Sequence, residues 1–369
     1  MINLCVIVAG VRPQYIKAAA LMYELDRWED RSGRHLPRLV IDTGQHHAAT
    51  LAGRLFDELG LRPGVRLTHA DRGTPAAVLA STLTQLDGLA RDWPPGTTMV
   101  VFGDANPAVA GALTARLAGL RLVHVEAGER RDPQEQEDFN TRLVDLTADL
   151  ALCVTRQAVD NLAAEGFRGE VLRTGDLAYR WFLRMSEEAG AGEEAGAGEE
   201  AGAGEEAGAG EEAGALVTMH RPQHMRWEFL RHVAETLCNR GVPVRWVSHP
   251  RAAPLLPRAL AGLPVVVLPE QGYRAFLRAI RSARFLVSDS GGAIREAHLL
   301  GTPVITVRDA GAWPVLDGSA TVRIRSDLRG LAAAADWAMT AVHRVPVGSP
   351  LADVTAIDAG IDRLIMPLS

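Results

Sequence analysis

Residues 283–305 read ARFLVSDSGGAIREAHLLGTPVI, and the fold is decided there. ARFLVS is a short apolar run of strand length. AIREAHLLG carries its apolar residues at helical spacing and stops at Gly301, and PVITV returns to a strand pattern. The stretch predicts a strand, a glycine turn, a helix and a second strand. Gly291 and Gly292 at the start of that helix let a ligand approach the backbone. There the free N–H groups and about half a positive charge of helix dipole favour a phosphate. Other local readings stand beside this one. Asp289 or Ser290 can cap the helix. Residues 288–292 also fit the small-x-Ser-x-Gly turn of α/β-hydrolases. No Walker lysine follows the glycines, which excludes a P-loop.

The same alternation extends in both directions. Strands are predicted at 2–10, 38–44, 98–103, 121–128, 150–155 and 170–175, and again at 215–220, 243–250, 265–269, 283–288, 303–308 and 320–324. Helical spacing fills the intervals, as at 14–27, 75–91, 107–119 and 138–148. Continuous apolar runs, rather than alternation, argue for parallel sheets covered on both faces. The expected fold is α/β, with two doubly wound Rossmann-like domains in a GT-B arrangement and the ligand in the interdomain cleft.

A six-residue repeat, EEAGAG, occupies 187–214 and holds ten glutamates. Its glycines cost about 1 kcal/mol each against helix, and it offers nothing larger than alanine for a core. It reads as a self-repelling coil spanning on the order of 30 Å, with a structural helix as the plain alternative. The expected domains are therefore 1–186, a linker 187–214, and 215–349. A tail at 350–369, apolar at helical spacing, is expected to return to the N-terminal domain.

The chain of 369 residues, 47% hydrophobic, is long enough for two cores. No apolar run reaches membrane-span length, and MINLCVIVAG lacks the charged start of a signal peptide. Cys5, Cys153 and Cys238 are odd in number and set in apolar runs, as reduced core thiols would be. A cytoplasmic location follows as the expectation. The net charge of −6 argues against nucleic acid as a partner, although the residues outside the repeat sum to +4.

Ligands of doubly wound sheets lie beyond the carboxyl ends of the strands. Asp104 follows the strand 98–103, Glu126 ends the next, and Glu137 stands at or just before the following helix. In the second half His220 ends the strand 215–220, and Ser290-Gly291-Gly292 follows 283–288. Arg12 and Lys17 follow the first strand and add cations near the acids, although a helix-surface charge is the plain alternative for Lys17. His46, His47 and His249 read equally as ligand contacts or as loop and core histidines.

In this order the chain resembles the UDP-N-acetylglucosamine 2-epimerase family, which has the GT-B fold. The matching stretches are GVRPQYIKAA (10–19), DTGQHH (42–47), FGDANPAVAG (102–111), HVEAGER (124–130), EDFN (137–140), TGD (174–176), TMHRP (218–222), SHP (248–250), SDSGGAIREA (288–297) and GTPVITVRD (301–309). The resemblance implies that Ser290, Gly291, Gly292 and Glu296 hold UDP, that Asp104, Glu126, Glu137 and His220 surround the sugar, and that the protein is a homodimer. Three departures stand out. Thr141 replaces an arginine after EDFN, Gln223 replaces a usual glutamate, and Ala310 to Val315 replaces a pattern close to T-T-E-R-P-E. Loss of the arginine and both acids of that last pattern alters the uridine-side pocket, so the base or sugar recognised can differ.

The implied chemistry is elimination. A base takes the C2 proton while UDP leaves C1; UDP then re-adds as a proton returns to the other face, inverting C2. A variant adds water and releases free N-acetylmannosamine. Both routes need two acid/base groups near C2, suited to Asp104, Glu126 and Glu137, and stabilisation of the leaving diphosphate, suited to Arg12, His220 and the helix start at Gly291. No nicotinamide fingerprint and no metal-ligand spacing occurs, so neither cofactor nor metal is expected. A GT-B glycosyltransferase and a non-catalytic nucleotide-sugar binder remain as alternatives.

Overall fold

The apolar runs become the strands of two parallel sheets. The computed structural model describes residues 3–44, 49–68, 74–131, 133, 135–195, 214–309, 316, 320–341, 351 and 355–366. The chain divides into two compact units, 1–183 with 350–369, and 184–349.

The first unit carries β1 (Leu4–Ala9), β2 (Arg38–Asp42), β3 (Val65–Arg66), β4 (Thr97–Phe102), β5 (Arg121–Val125), β6 (Leu150–Cys153) and β7 (Glu170–Arg173). They pair in parallel in the order β3-β2-β1-β4-β5-β6-β7. The second unit carries β8 (Ala215–Thr218), β9 (Val244–Val247), β10 (Val265–Leu268), β11 (Phe285–Ser288), β12 (Val304–Val307) and β13 (Thr321–Ile324), in the order β10-β9-β8-β11-β12-β13. Chain direction across each sheet reverses between its first and fourth strands, β1/β4 and β8/β11. At such switch points the flanking loops diverge and leave a crevice beyond the strand ends. Strands β1, β4 and β8 are almost wholly buried, as both-face helical cover requires.

The helices that carry candidate residues are α1 (Arg12–Ser32), α4 (Asn106–Leu117), α5 (Gln136–Thr147) and α11 (Gly291–Leu299). Strand β3 was not expected. With only two residues, paired to Ile41 and Asp42, it is too short to show a periodicity.

The repeat differs from its expected coil at its beginning. Helix α7 (Tyr179–Ala195) runs through Glu187 to Ala195, and the change of unit falls inside it. Glu188 offsets the glycine cost by accepting from Arg184 one turn earlier at 2.8 Å and from Arg274 at 2.7 Å. Residues 196–213 lie outside the described residues, as do His46, His47 and the altered stretch 310–315.

The tail forms α13 (Thr355–Ile365), packed on α1 and β7 of the first unit. The Arg121 guanidinium donates to the carbonyls of Arg363, Leu364 and Met366 at 3.0, 2.6 and 2.7 Å. A cation thus closes the end of the helix, where free carbonyls and the negative dipole end coincide.

Candidate functional site

Beyond the carboxyl end of β1 the chain turns at Gly10, where a Cβ would lie 1.9 Å from Thr43 Oγ1, so only glycine fits. Gln14 locks the turn. Its side chain accepts from the Gly10 amide and donates to the Phe102 carbonyl at the end of β4, both at 3.0 Å. Arg12 is the first residue of α1, half-buried, and Lys17 follows on the same helix. The Lys17 ammonium donates to Glu126 Oε2 just after β5.

Glu126 adopts φ +65°, a left-handed conformation that costs a non-glycine residue about 1–2 kcal/mol. The amides of Glu126 and Ala127 both donate to the Leu152 carbonyl, at 3.0 and 3.2 Å, as the chain turns off the end of β5. The side chain points toward Lys17 and Gly103, where a Cβ would stand 3.6 Å from Glu126 Oε2. Glu126 is buried, and its Oε1 has no hydrogen-bond partner among the described residues. Strained, buried and half-paired polar groups gather at sites of chemistry.

Asp104 follows β4, and its carboxylate pairs with Arg131 at 2.6 Å. Asn140 donates to the Asp104 carbonyl at 2.8 Å and to Asn106 Oδ1 at 3.2 Å, tying this turn to α5. Glu137 lies in the first turn of α5 and is half-buried. Arg131 is the group that relates these acids. Burial opposes its charge, but Asp104, Glu137, Glu135 and Glu126 outweigh that and raise its pKa. Glu129, half-buried and accepting from the Thr155 hydroxyl at 3.2 Å, is pushed up to about 7 by burial and then by the Glu126 charge.

A buried network supports this wall. His124 on β5 meets Asp145 Oδ1 at 2.7 Å through Nδ1 and the Gly103 carbonyl at 3.0 Å through Nε2. Arg130 donates to Asp145 at 2.8 Å, and the Gly128 amide does so at 3.2 Å. Burial pushes the Asp145 pKa up, but His124 and Arg130 reverse that and lower it. Gly128, at φ +76°, would place a Cβ 2.3 Å from the Ala158 carbonyl, so no other residue fits.

In the second unit His220 lies just beyond β8, with its Nδ1 3.1 Å from Asp289 Oδ1. Asp289 also accepts from the amides of His220 and Arg221, both at 3.0 Å, and from His224 Nδ1 at 2.8 Å. Burial would raise its pKa, but the hydrogen bonds from the two histidines dominate and hold it well below the carboxylate range. His224 Nε2 continues to Ser326 Oγ at 3.0 Å, and the His249 ring stands 5.2 Å from that of His220. Ser290 caps α11, accepting from the Ala293 amide at 3.4 Å. Of the two capping alternatives, then, Ser290 fills the role and Asp289 serves the histidines. Helix α11 begins with Gly291 and Gly292, and Glu296 is buried on it.

A sequence profile described as UDP-N-acetylglucosamine 2-epimerase matches residues 31–337. The chain belongs to the UDP-N-acetylglucosamine 2-epimerase family. This is a family of isomerases. A Pseudomonas aeruginosa relative, UDP-2,3-diacetamido-2,3-dideoxy-D-glucuronate 2-epimerase, is 27% identical over 83% of each chain. The UDP-N-acetylglucosamine 2-epimerase of Bacillus subtilis is 26% identical over 83% of this chain and 79% of its own. The fold matches the epimerase of Methanocaldococcus jannaschii in complex with UDP-GlcNAc and UDP, with TM-score 0.81 and 23% identity, covering 98% and 99% of the two chains. It also matches the Neisseria meningitidis epimerase bound to UDP-GlcNAc, with TM-score 0.81 and 19% identity, covering 99% and 100%.

Against that family pattern, Lys17, Asp104 and Glu126 lie together in the first unit with Glu137, through Arg131. His220 and Ser290 to Gly292 lie at the switch point of the second. Sequence reading missed Arg131, Glu129, Asp289 and His224. Asp289 was visible only as a possible cap, and nothing in the sequence pairs 289 with 220 and 224. Thr141 is buried and bonds back to the Glu137 carbonyl at 2.9 Å, while Arg142 turns to Asp138 at 2.6 Å and Glu165.

Proposed function

We propose that this member of the family inverts C2 of a UDP-linked 2-acetamido sugar by elimination and re-addition of UDP. The first unit supplies the acid/base wall, Asp104, Glu126 and Glu137, with Lys17 paired to Glu126. The second supplies the diphosphate end, with Ser290, Gly291, Gly292 and the start of α11 taking the phosphates, Glu296 the ribose, and His220 the departing charge. Arg12 adds positive charge from the start of α1. The observation that carries this reading is Glu126, a strained carboxylate with one oxygen on Lys17 and the other unpartnered. Such an oxygen is free to take or return a proton.

The substrate is UDP-GlcNAc or a close analogue. The named activity of the Pseudomonas relative favours trying its diacetamido glucuronate, because the arginine and acids expected at 310–315 are absent here. Incubation of purified protein with each nucleotide sugar should give the C2 epimer still attached to UDP. Release of free sugar with UDP would assign the hydrolysing variant, and no product from either would leave a binder. We place the protein in the cytoplasm, since Cys5 and Cys153 are buried thiols without disulfides and burial pushes Cys5 up to about 12. Among the described residues no helix is long and apolar enough to cross a membrane. A homodimer is proposed on the resemblance alone, and light scattering decides it.

A further inference from the structure

The acid wall of the first unit has a charge problem. Asp104, Glu126, Glu135 and Glu137 converge there, with Glu129 beside Glu126. Gathering like charges on one wall is unfavourable unless cations answer them. Lys17 answers one of them, Glu126. The family pattern would place an arginine at 141, but Thr141 is a short hydroxyl turned back onto its own helix. The neighbouring arginines are engaged elsewhere: Arg130 binds Asp145 and Glu165, and Arg142 binds Asp138 and Glu165.

Arg131 is the residue that turns into the wall. Its backbone is fixed by the buried Asp138, whose Oδ1 accepts the Arg131 amide at 2.8 Å, and Asp138 is itself braced by Arg142 at 2.6 Å. From that anchor the guanidinium reaches Asp104 Oδ2 at 2.6 Å. Its side chain retains about a fifth of its full exposure, so the contact is shielded without being sealed. A permanently charged group on a braced backbone holds a carboxylate in place through a charge-assisted hydrogen bond.

We infer that Arg131 is a positioning residue of the sugar-side site, holding Asp104 in place and supplying from the 129–131 loop the positive charge that helix α5 lacks at Thr141. The inference rests on the epimerase reading. Arg131 needs no contact with the sugar for this role. It sets the orientation of an acid/base group that does touch it. The Asp104 carboxylate is thus held from the loop that follows β5, while Asn140 of α5 holds its backbone carbonyl.

The test is Arg131→Gln and Arg131→Lys beside the wild type, assayed for nucleotide-sugar epimerisation from pH 5.5 to 9, with UDP binding followed by calorimetry. The glutamine variant should lose about 10–100-fold in kcat, with KM changed less than about threefold, because a misplaced acid/base group costs rate and not ground-state binding. Its acidic limb should move about one pH unit higher, as carboxylates lose their counter-charge. The lysine variant should recover most of kcat and return the limb toward the wild-type position. UDP affinity should be the same in all three, and comparable melting curves would show that the variants fold. A wild-type kcat and pH profile in the glutamine variant would overturn the inference. So would a loss of kcat that lysine does not relieve, which would mark Arg131 as structural. Wild-type protein that neither binds UDP nor turns over a nucleotide sugar would remove the epimerase reading itself, a different failure.

Discussion

Nδ1 of His220 stands 3.1 Å from Oδ1 of the wholly buried Asp289, whose other oxygen takes Nδ1 of His224 at 2.8 Å. One carboxylate thus orients two imidazoles and receives two backbone amides. His220 keeps Nε2 unpaired among the described residues, directed by the bond on its opposite nitrogen.

Asp289→Asn should therefore lower both stability and turnover, since an amide accepts on one side only and leaves a histidine unmatched. A loss of about 3 kcal/mol is expected from breaking such a buried charged network. The folded state holds the Asp289 pKa low, so its contribution is complete above an ordinary carboxylate pKa, about 4, and declines as pH falls below that. The gap in melting temperature between wild type and variant should be full above about pH 5 and begin to narrow only as pH falls below about 4. A constant gap would contradict the assignment.

Glu129 carries the opposite sign. Its folded pKa is raised to about 7, so the folded state binds the proton more tightly than the unfolded chain. Stability from this group is present below the ordinary glutamate value, about 4.5, and is lost as pH rises through 7. Glu129→Gln should be close to wild type at pH 5 and more thermostable at pH 8. Parallel melting curves across that range would show that Glu129 is ionised as in solvent.

The alternation of apolar runs placed every strand but β3, because strands buried on both faces leave a continuous signal while two residues leave none. The strand-end acids and the glycines of α11 were legible for the same reason: the fold fixes which end of a strand faces a ligand. Asp289, His224 and Arg131 were not legible, since their partners come from distant loops and only the folded register joins 289 to 220 or 131 to 104. The glutamate repeat reads as coil by composition, yet α7 enters it because Glu188 finds Arg184 and Arg274.

Gly292 separates phosphate binding from helix stability. An added Cβ there would meet nothing nearer than Ser290 Oγ at 3.9 Å, and alanine is better than glycine inside a helix by up to about 1 kcal/mol. Gly292→Ala should hold or raise the melting temperature while weakening UDP binding at least about tenfold by crowding the phosphates. Unchanged UDP affinity by calorimetry would reduce the turn to an ordinary helix cap.

Replacing Asp104, Glu126 or Glu137 singly by its amide keeps the shape of the wall and removes one acid/base group. Each change should cost about 10²–10⁴-fold in kcat. Glu126→Gln also releases Lys17 from its partner. Full activity in all three would make the wall structural.

The central claim is that a carboxylate of the first unit removes and returns the proton at C2. Carboxylates exchange with solvent between the two steps. Turnover of UDP-GlcNAc or its diacetamido analogue in heavy water, read by NMR of the product nucleotide sugar, should show deuterium at C2 in step with inversion. Inversion with protium retained at C2 would contradict the account and direct attention to transient oxidation at a neighbouring carbon.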